Sequence, residues 1–183
     1  MPTSARAKLF RLIKELSFAR KKIKLASGRE SNFYFDLKPT MFHPEGAALI
    51  AQLLFEKLQP MNVDYVGGLA VGAVPLLSPI AMLSFGKGKP LPAFFVRKEV
   101  KEHGTRRLIE GAGDLNGKNV AILEDVATTG GSAMLAVEAA RAAGANVILV
   151  LAVVDREEGA AEFFAKQNVK FDSLFKAGAF LAA

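Results

Sequence analysis

Glu124 and Asp125 close an apolar run, and Val126, Ala127, Thr128, Thr129, Gly130, Gly131 and Ser132 follow them. Two adjacent carboxylates where a strand ends suit hydrogen bonds from vicinal hydroxyls, such as those of a ribose, or a hydrated Mg²⁺. The hydroxyls and closely approachable backbone N–H groups after them, at the start of a helix, suit a phosphate, which the positive end of the helix dipole favours. A phosphate beside a vicinal diol is a sugar phosphate. A plain helix cap with Ser132 at its head needs one such residue and does not account for the whole string.

Two further clusters carry charge. VRKEVKEHGTRR at 96–107 holds Arg97, Lys98, Lys101 and His103 without apolar periodicity, between strand-like FFV and a glycine-rich segment; it reads as a mobile cationic loop. Arg156 follows the apolar run NVILVLAVVD, where the residues alone make it a surface cation after a strand. GGLAVGAVP has neither a Gly-Lys-Ser/Thr ending nor a G-x-G-x-x-G pattern, which weakens nucleoside triphosphate and NAD readings. Gly67, Gly68 and Gly72 there form a tight strand-to-helix turn or expose N–H groups to a second phosphate.

These residues need a scaffold that brings them together. Spacing predicts a helix over about 4–20, with Leu9, Leu12, Ile13 and Leu16 on one face and solvated cations on the other. Short extended stretches follow at KIKL and NFYFDLK, then a helix opening at Pro44 just after His43. Strands at DYVGGLA, AFFVRK, NVAILE and NVILVLAVVD alternate with helices near AVPLLSPIAMLSF and over 132–143, and GKGKP at 86–90 is a turn. That alternation means an α/β fold with a mainly parallel central sheet flanked by helices. Ligands in such sheets bind outside the carboxyl ends of the strands, so GGLAVGA, EDVATTGGS and VVDREEG should gather there.

Composition narrows the classes. The 183 residues suit one domain, 1–183. There is no cysteine, so disulfides and thiolate metal sites are excluded, and His43 and His103 are too few for a zinc cluster. No run approaches the ~20 apolar residues of a membrane span, and the first residues lack a signal-peptide core, so a cytoplasmic location is expected. The net charge of +6 fits nucleic acid, a membrane surface or small polyanions, and its placement favours the last.

VAILEDVATTGGS resembles the signature of type I phosphoribosyltransferases. SGRESNFYFDLKP, VGGLAVGAVP, FFVRKEVKEHG, VVDREEG and LFKAGAFL extend the resemblance, over nearly the whole chain, to the orotate phosphoribosyltransferase family. The resemblance implies displacement of diphosphate from 5-phosphoribosyl 1-diphosphate by N1 of orotate, giving orotidine 5′-monophosphate in de novo pyrimidine synthesis. It implies Mg²⁺ bound mainly through substrate and water, with no dedicated protein ligands. Lys101, His103 and Asp125 would be catalytic. Arg97, Lys98, Lys101, His103 and the strip from Glu124 to Ser132, with Val126 and Ala127 inside it, would bind the donor. Thr128, Arg156, Tyr34 and Phe35 would bind orotate, although the residues alone make Tyr34 and Phe35 strand core. It also implies a small hood largely from 1–40, a catalytic loop at about 97–108, and a homodimer whose loops reach into each other's sites.

Two positions depart from the family pattern: Ala26 and Val71 stand where many members carry lysine, and Lys24 or Lys38 is available to replace the first. A purine phosphoribosyltransferase would share the acids and the TTG loop but lack the hood and the role of Arg156. A non-catalytic RNA-binding relative fits the charge but gives no reason for Lys101 and His103. The expectation is therefore an enzyme acting on small molecules, without nucleic-acid or membrane partners.

Overall fold

The computed structural model describes residues 4–24, 30–99, 108–111 and 113–183. In chain order the first elements are α1 (Ala5–Leu16), β1 (Phe18–Ala19), β2 (Ile23–Lys24), β3 (Glu30–Ser31), β4 (Tyr34–Phe35), α2 (Lys38–Met41) and α3 (Pro44–Leu58). Then come β5 (Tyr65–Gly67), α4 (Val74–Gly86), β6 (Phe95–Val96), β7 (Ile109–Glu110), β8 (Asn119–Ala127) and α5 (Gly131–Ala142). β9 (Asn146–Asp155), α6 (Ala160–Lys166), β10 (Phe171–Lys176) and α7 (Ala177–Ala182) complete the series.

The central sheet runs β10-β9-β8-β5 with every pairing parallel. Its edge is extended beyond β5 by single bridges, Val66 to Ala93 and Leu69 to Val96. Alternation along the inner strands divides two cores. Ala121 and Leu123 of β8 and Leu151 and Val153 of β9 face α1, α3 and α4, whereas Val120, Ile122, Val150 and Ala152 face α5 and α6. Each large apolar side chain buried this completely stabilises the fold by about 1.5–3 kcal/mol relative to exposure. Both faces are covered, as the near-continuous apolar runs require.

The hood begins with α1. Ser4 caps it by accepting the Ala7 N–H (3.2 Å), Leu9 and Ile13 are fully buried, and Arg6, Lys8, Arg11 and Lys14 face solvent. The helix stops at Leu16, earlier than its periodicity suggests, and Leu16 itself is exposed. The cause is tertiary: Ser17 is buried against Thr40 (Oγ to Oγ1, 2.7 Å), and β1 pairs antiparallel with β4. α3 starts as expected, with Pro44 in its first turn and His43 Nδ1 accepting the Gly46 N–H (3.4 Å). α7 returns to the hood, where Phe180 stacks on Phe10 at 4.3 Å and meets Phe18 and Phe35.

Candidate active site

The parallel order brings the ends of β5, β8 and β9 to one edge of the sheet, so the three expected segments do meet. Ala127 of β8 is in register with Asp155 of β9, and Gly72, in the loop after β5, lies so close to Asp125 that an added Cβ would sit 3.1 Å from its Oδ1. Gly68 is equally constrained: a Cβ there would be 2.6 Å from the Leu123 carbonyl. The glycines of GGLAVGA thus serve a tight turn and also let backbone approach the acid pair. Val71, in the same loop, is 73% exposed.

Glu124 is 7% exposed and its Oε2 has no hydrogen-bond partner among the described residues. Burial pushes its pKa up to about 9; the hydrogen bond and charge of Asp125 add to this, and Lys98 opposes it. Asp125 is half-buried, with Oδ1 accepting the Val126 N–H (2.8 Å). The two acids differ in state: one holds a proton at neutral pH, whereas the other keeps surface open to a ligand.

After β8 the chain turns into α5 through Gly130, whose φ of +90° is the left-handed conformation that glycine tolerates best. Space demands glycine there as well, because a Cβ would come within 2.8–3.0 Å of Phe163 and Phe164. The cap is therefore Gly130 rather than Ser132, which leaves Ser132 and Gly131 exposed in the first turn, beside exposed Thr129 and half-buried Thr128. No side chain of the cap bonds to the first N–H groups of this helix. A cavity of about 20 Å³ lined by Glu124, Thr128, Gly130 and Ser132 joins the acid to the helix start. A larger hollow of about 580 Å³, lined by Leu108, Leu115 and Ala139, shares no residue with the acid pair or this turn. Size alone does not locate the chemistry.

Arg156 is no surface residue: it is 4% exposed. Its backbone N–H donates to the Ala127 carbonyl (2.9 Å), tying it to the end of β8. The guanidinium lies 4.7 Å from the centre of the Phe33 ring, pairs with Glu158, and donates to Ser31 Oγ (3.0 Å) and the Phe33 carbonyl (3.4 Å). Ser31 and Phe33 are thereby tied to the end of β9.

Tyr34 and Phe35 part company. Neighbours in a strand project to opposite faces, and Phe35 goes into the core against Phe18 and Phe180 while Tyr34 remains half-buried. The expectation that Phe35 covers a pyrimidine ring does not match that burial; the ring set against Arg156 is Phe33. Lys38 is raised in pKa by its hydrogen bond to Asp36 (2.9 Å), partly offset by burial, with smaller contributions from the charges of Asp36, Asp125 and Tyr34. Lys38, one of the two lysines considered as replacements for the one absent at Ala26, is near enough for the charge of Asp125 to act on it.

Arg97 donates from Nε to Glu110 Oε1 (3.1 Å), bracing the short β6–β7 ladder, and exposed Lys98 follows it. Lys101, His103 and Ala26 lie outside the described residues, as does most of the expected catalytic loop. Phe33, Ser31 and Glu158 were not singled out from sequence. A signal existed for Glu158, since an acid two residues after a buried arginine is a natural partner, but the burial of Arg156 was not visible there.

Residues 41–170 match the phosphoribosyl transferase domain. The chain is 54% identical over 184 residues to the orotate phosphoribosyltransferase of Bradyrhizobium diazoefficiens, covering 99% of this chain and 98% of that one. It is 57% identical over 182 residues to the enzyme of the same name from Rhodopseudomonas palustris strain BisB18, covering 98% and 97%. The crystal structure of Mycobacterium tuberculosis orotate phosphoribosyltransferase in complex with 5-phospho-α-D-ribosyl 1-diphosphate superposes with a TM-score of 0.81 at 36% identity, covering 98% of this chain and all of that one. Identity at this level over nearly the full length of both chains, on the same parallel sheet, means that this chain belongs to the orotate phosphoribosyltransferase family.

Proposed function

We propose that the chain transfers the 5-phosphoribosyl group from 5-phosphoribosyl 1-diphosphate to orotate, the step that makes orotidine 5′-monophosphate in de novo pyrimidine synthesis. One observation carries this reading: β8, which bears the acid pair and leads into the open helix start, ends with Ala127 in register with Asp155 and accepting the Arg156 N–H, so a sugar-phosphate site would adjoin a carboxylate-recognising one. The C1′–N1 bond forms as the C1′–O bond breaks. The electron pair of the broken bond leaves with diphosphate, and the proton that N1 gives up passes to solvent.

Asp125 faces the ribose hydroxyls and offsets positive charge growing on the sugar. The N–H groups of Thr129 to Ser132 hold the 5′-phosphate. Arg97 and Lys98, with Lys101 and His103 as the resemblance implies, neutralise charge on the departing diphosphate, and His103 is suited to protonate it. Arg156 pairs with the orotate carboxylate, Thr128 touches the same ring, and Tyr34 flanks it.

Mg²⁺ fits this donor set: Asp125 offers hard oxygens, and a bound cation would displace the proton of Glu124, whose Oε2 has no partner among the described residues. Among the described residues no group of three or more His, Cys, Asp or Glu forms a cage, so the ion would be held chiefly by the diphosphate and water, where it supplies charge neutralisation.

A homodimer with shared sites is part of the same proposal. Met82 and Phe85, three apart on α4, are 75% and 77% exposed, an unusual expense of apolar surface that a second copy would cover. Replacing both by lysine should give monomers by sedimentation velocity and abolish most activity; a fully active monomer refutes shared sites. The proposed setting is the cytoplasm. No helix among the described residues is long and apolar enough to cross a membrane.

The deciding assay follows orotate absorbance with 5-phosphoribosyl 1-diphosphate and Mg²⁺, with adenine and hypoxanthine as rival acceptors. Loss of orotate absorbance is expected. Transfer to a purine alone would overturn the assignment.

A further inference from the structure

We propose that Glu158 is a positioning residue for orotate: it grips one edge of the Arg156 guanidinium so that the other edge meets the substrate carboxylate. The inference rests on the pairing of Arg156 with orotate proposed above. A guanidinium is a planar fork of five N–H donors, and a carboxylate docks on it along one edge at a time.

Glu158 Oε1 lies 2.9 Å from Arg156 Nε and 2.7 Å from Nη2. Nη2 also donates to Ser31 Oγ (3.0 Å) and to the Phe33 carbonyl (3.4 Å). The Nε–Nη2 side is therefore engaged from within the protein, by the loop after β9 and by the hood together. Among the described residues nothing engages Nη1, and a substrate carboxylate would approach through it. The Phe33 ring, 4.7 Å from the guanidinium carbon, restrains the plane.

Exposure separates this pair from an ordinary surface ion pair. The Arg156 side chain is 3% exposed and that of Glu158 21%, so the guanidinium has no solvated alternative orientation nearby. Charge makes the arrangement selective as well. A buried arginine with no acid beside it would draw any small anion, including the phosphates of the donor; paired with Glu158 it is close to neutral and rewards the ligand whose geometry fits the remaining edge.

The test uses the full-length enzyme and four variants: Arg156→Ala, Glu158→Ala, Glu158→Gln and the double Arg156→Ala/Glu158→Ala. Expected for Glu158→Ala is a KM for orotate raised about tenfold, with the donor KM changed less than about twofold and the melting temperature lowered, as loss of a buried charge's partner requires. Glu158→Gln should recover most of the loss, because its amide oxygen accepts the same two N–H groups. In the Arg156→Ala background, removing Glu158 should add nothing further. An unchanged or lowered orotate KM in Glu158→Ala, or the same increment with and without Arg156, overturns the positioning role. If Arg156→Ala itself fails to act selectively on orotate, the carboxylate pairing falls and this proposal with it; if Arg156→Ala is selective while Glu158→Ala is silent, only the positioning role falls.

Discussion

β8 and β9 lie side by side and end at the same edge, yet their ends are finished by opposite means. The end of β8 is made of small residues and backbone, with Gly130 at φ +90° and a buried carboxylate oxygen, Glu124 Oε2, that has no partner among the described residues. The end of β9 is made of charged side chains that satisfy neighbouring groups. Asp155 accepts the Glu157 N–H (2.8 Å), Glu157 accepts the Gly178 N–H (2.8 Å), and Glu158 takes Arg156. A buried polar atom without a partner costs about 1–3 kcal/mol, so the open end carries a penalty that the closed end avoids. The open end suits a ligand whose charge changes during reaction, and the closed end suits a ligand to be recognised unchanged.

Substitutions at the two ends should therefore fail differently. Asp125→Asn should lower kcat about 10²- to 10³-fold with a modest change in either KM, since it removes charge needed most at the transition state. A loss confined to donor KM would make Asp125 a binding group only. Arg156→Ala should raise the orotate KM by roughly 10- to 150-fold, the equivalent of about 1.5–3 kcal/mol, and leave the donor KM nearly alone. Equal effects on both substrates would erase the contrast between the ends.

A third effect, read in stability rather than turnover, concerns the proton on Glu124. Folded Glu124 keeps that proton up to about pH 9, whereas the ordinary value is 4.5. Between those values the native state binds a proton that the unfolded chain has released, so this residue makes stability fall as pH rises through the window, by at most about 1.4 kcal/mol per pH unit. Glu124→Gln lacks that slope. Its melting temperature should gain on wild type between pH 5 and pH 8, and parallel curves would mean that Glu124 is ionised in the fold.

The end of β8 was legible in sequence because backbone requirements are local. A strand, two acids and a glycine that must take positive φ are neighbours in the chain, so their order states the geometry. The end of β9 was legible only in part. Arg156 could be picked out, but its contacts to Ser31 and Phe33 span more than a hundred residues, and nothing near position 156 announces them. Phe35 shows the same limit, since alternation in NFYF separates two faces without saying which one the core takes. β10 went unseen because FDSLFK is half polar, as befits the sheet's edge, and carries no continuous apolar signal. α1 was found but drawn too long, because the pull of Thr40 on Ser17 is invisible to periodicity.

The stack of Phe10 on Phe180 sets an order of events in folding. The two rings come from opposite ends of the described chain, and a contact across such a separation is unfavourable in loop-closure entropy until the intervening sheet has brought its partners together. Phe18 and Phe35 pack on that same ring. On this argument the first forty residues should complete their packing after the sheet they cover, so that their amides gain protection later than those of β8 and β9 in pulsed hydrogen exchange.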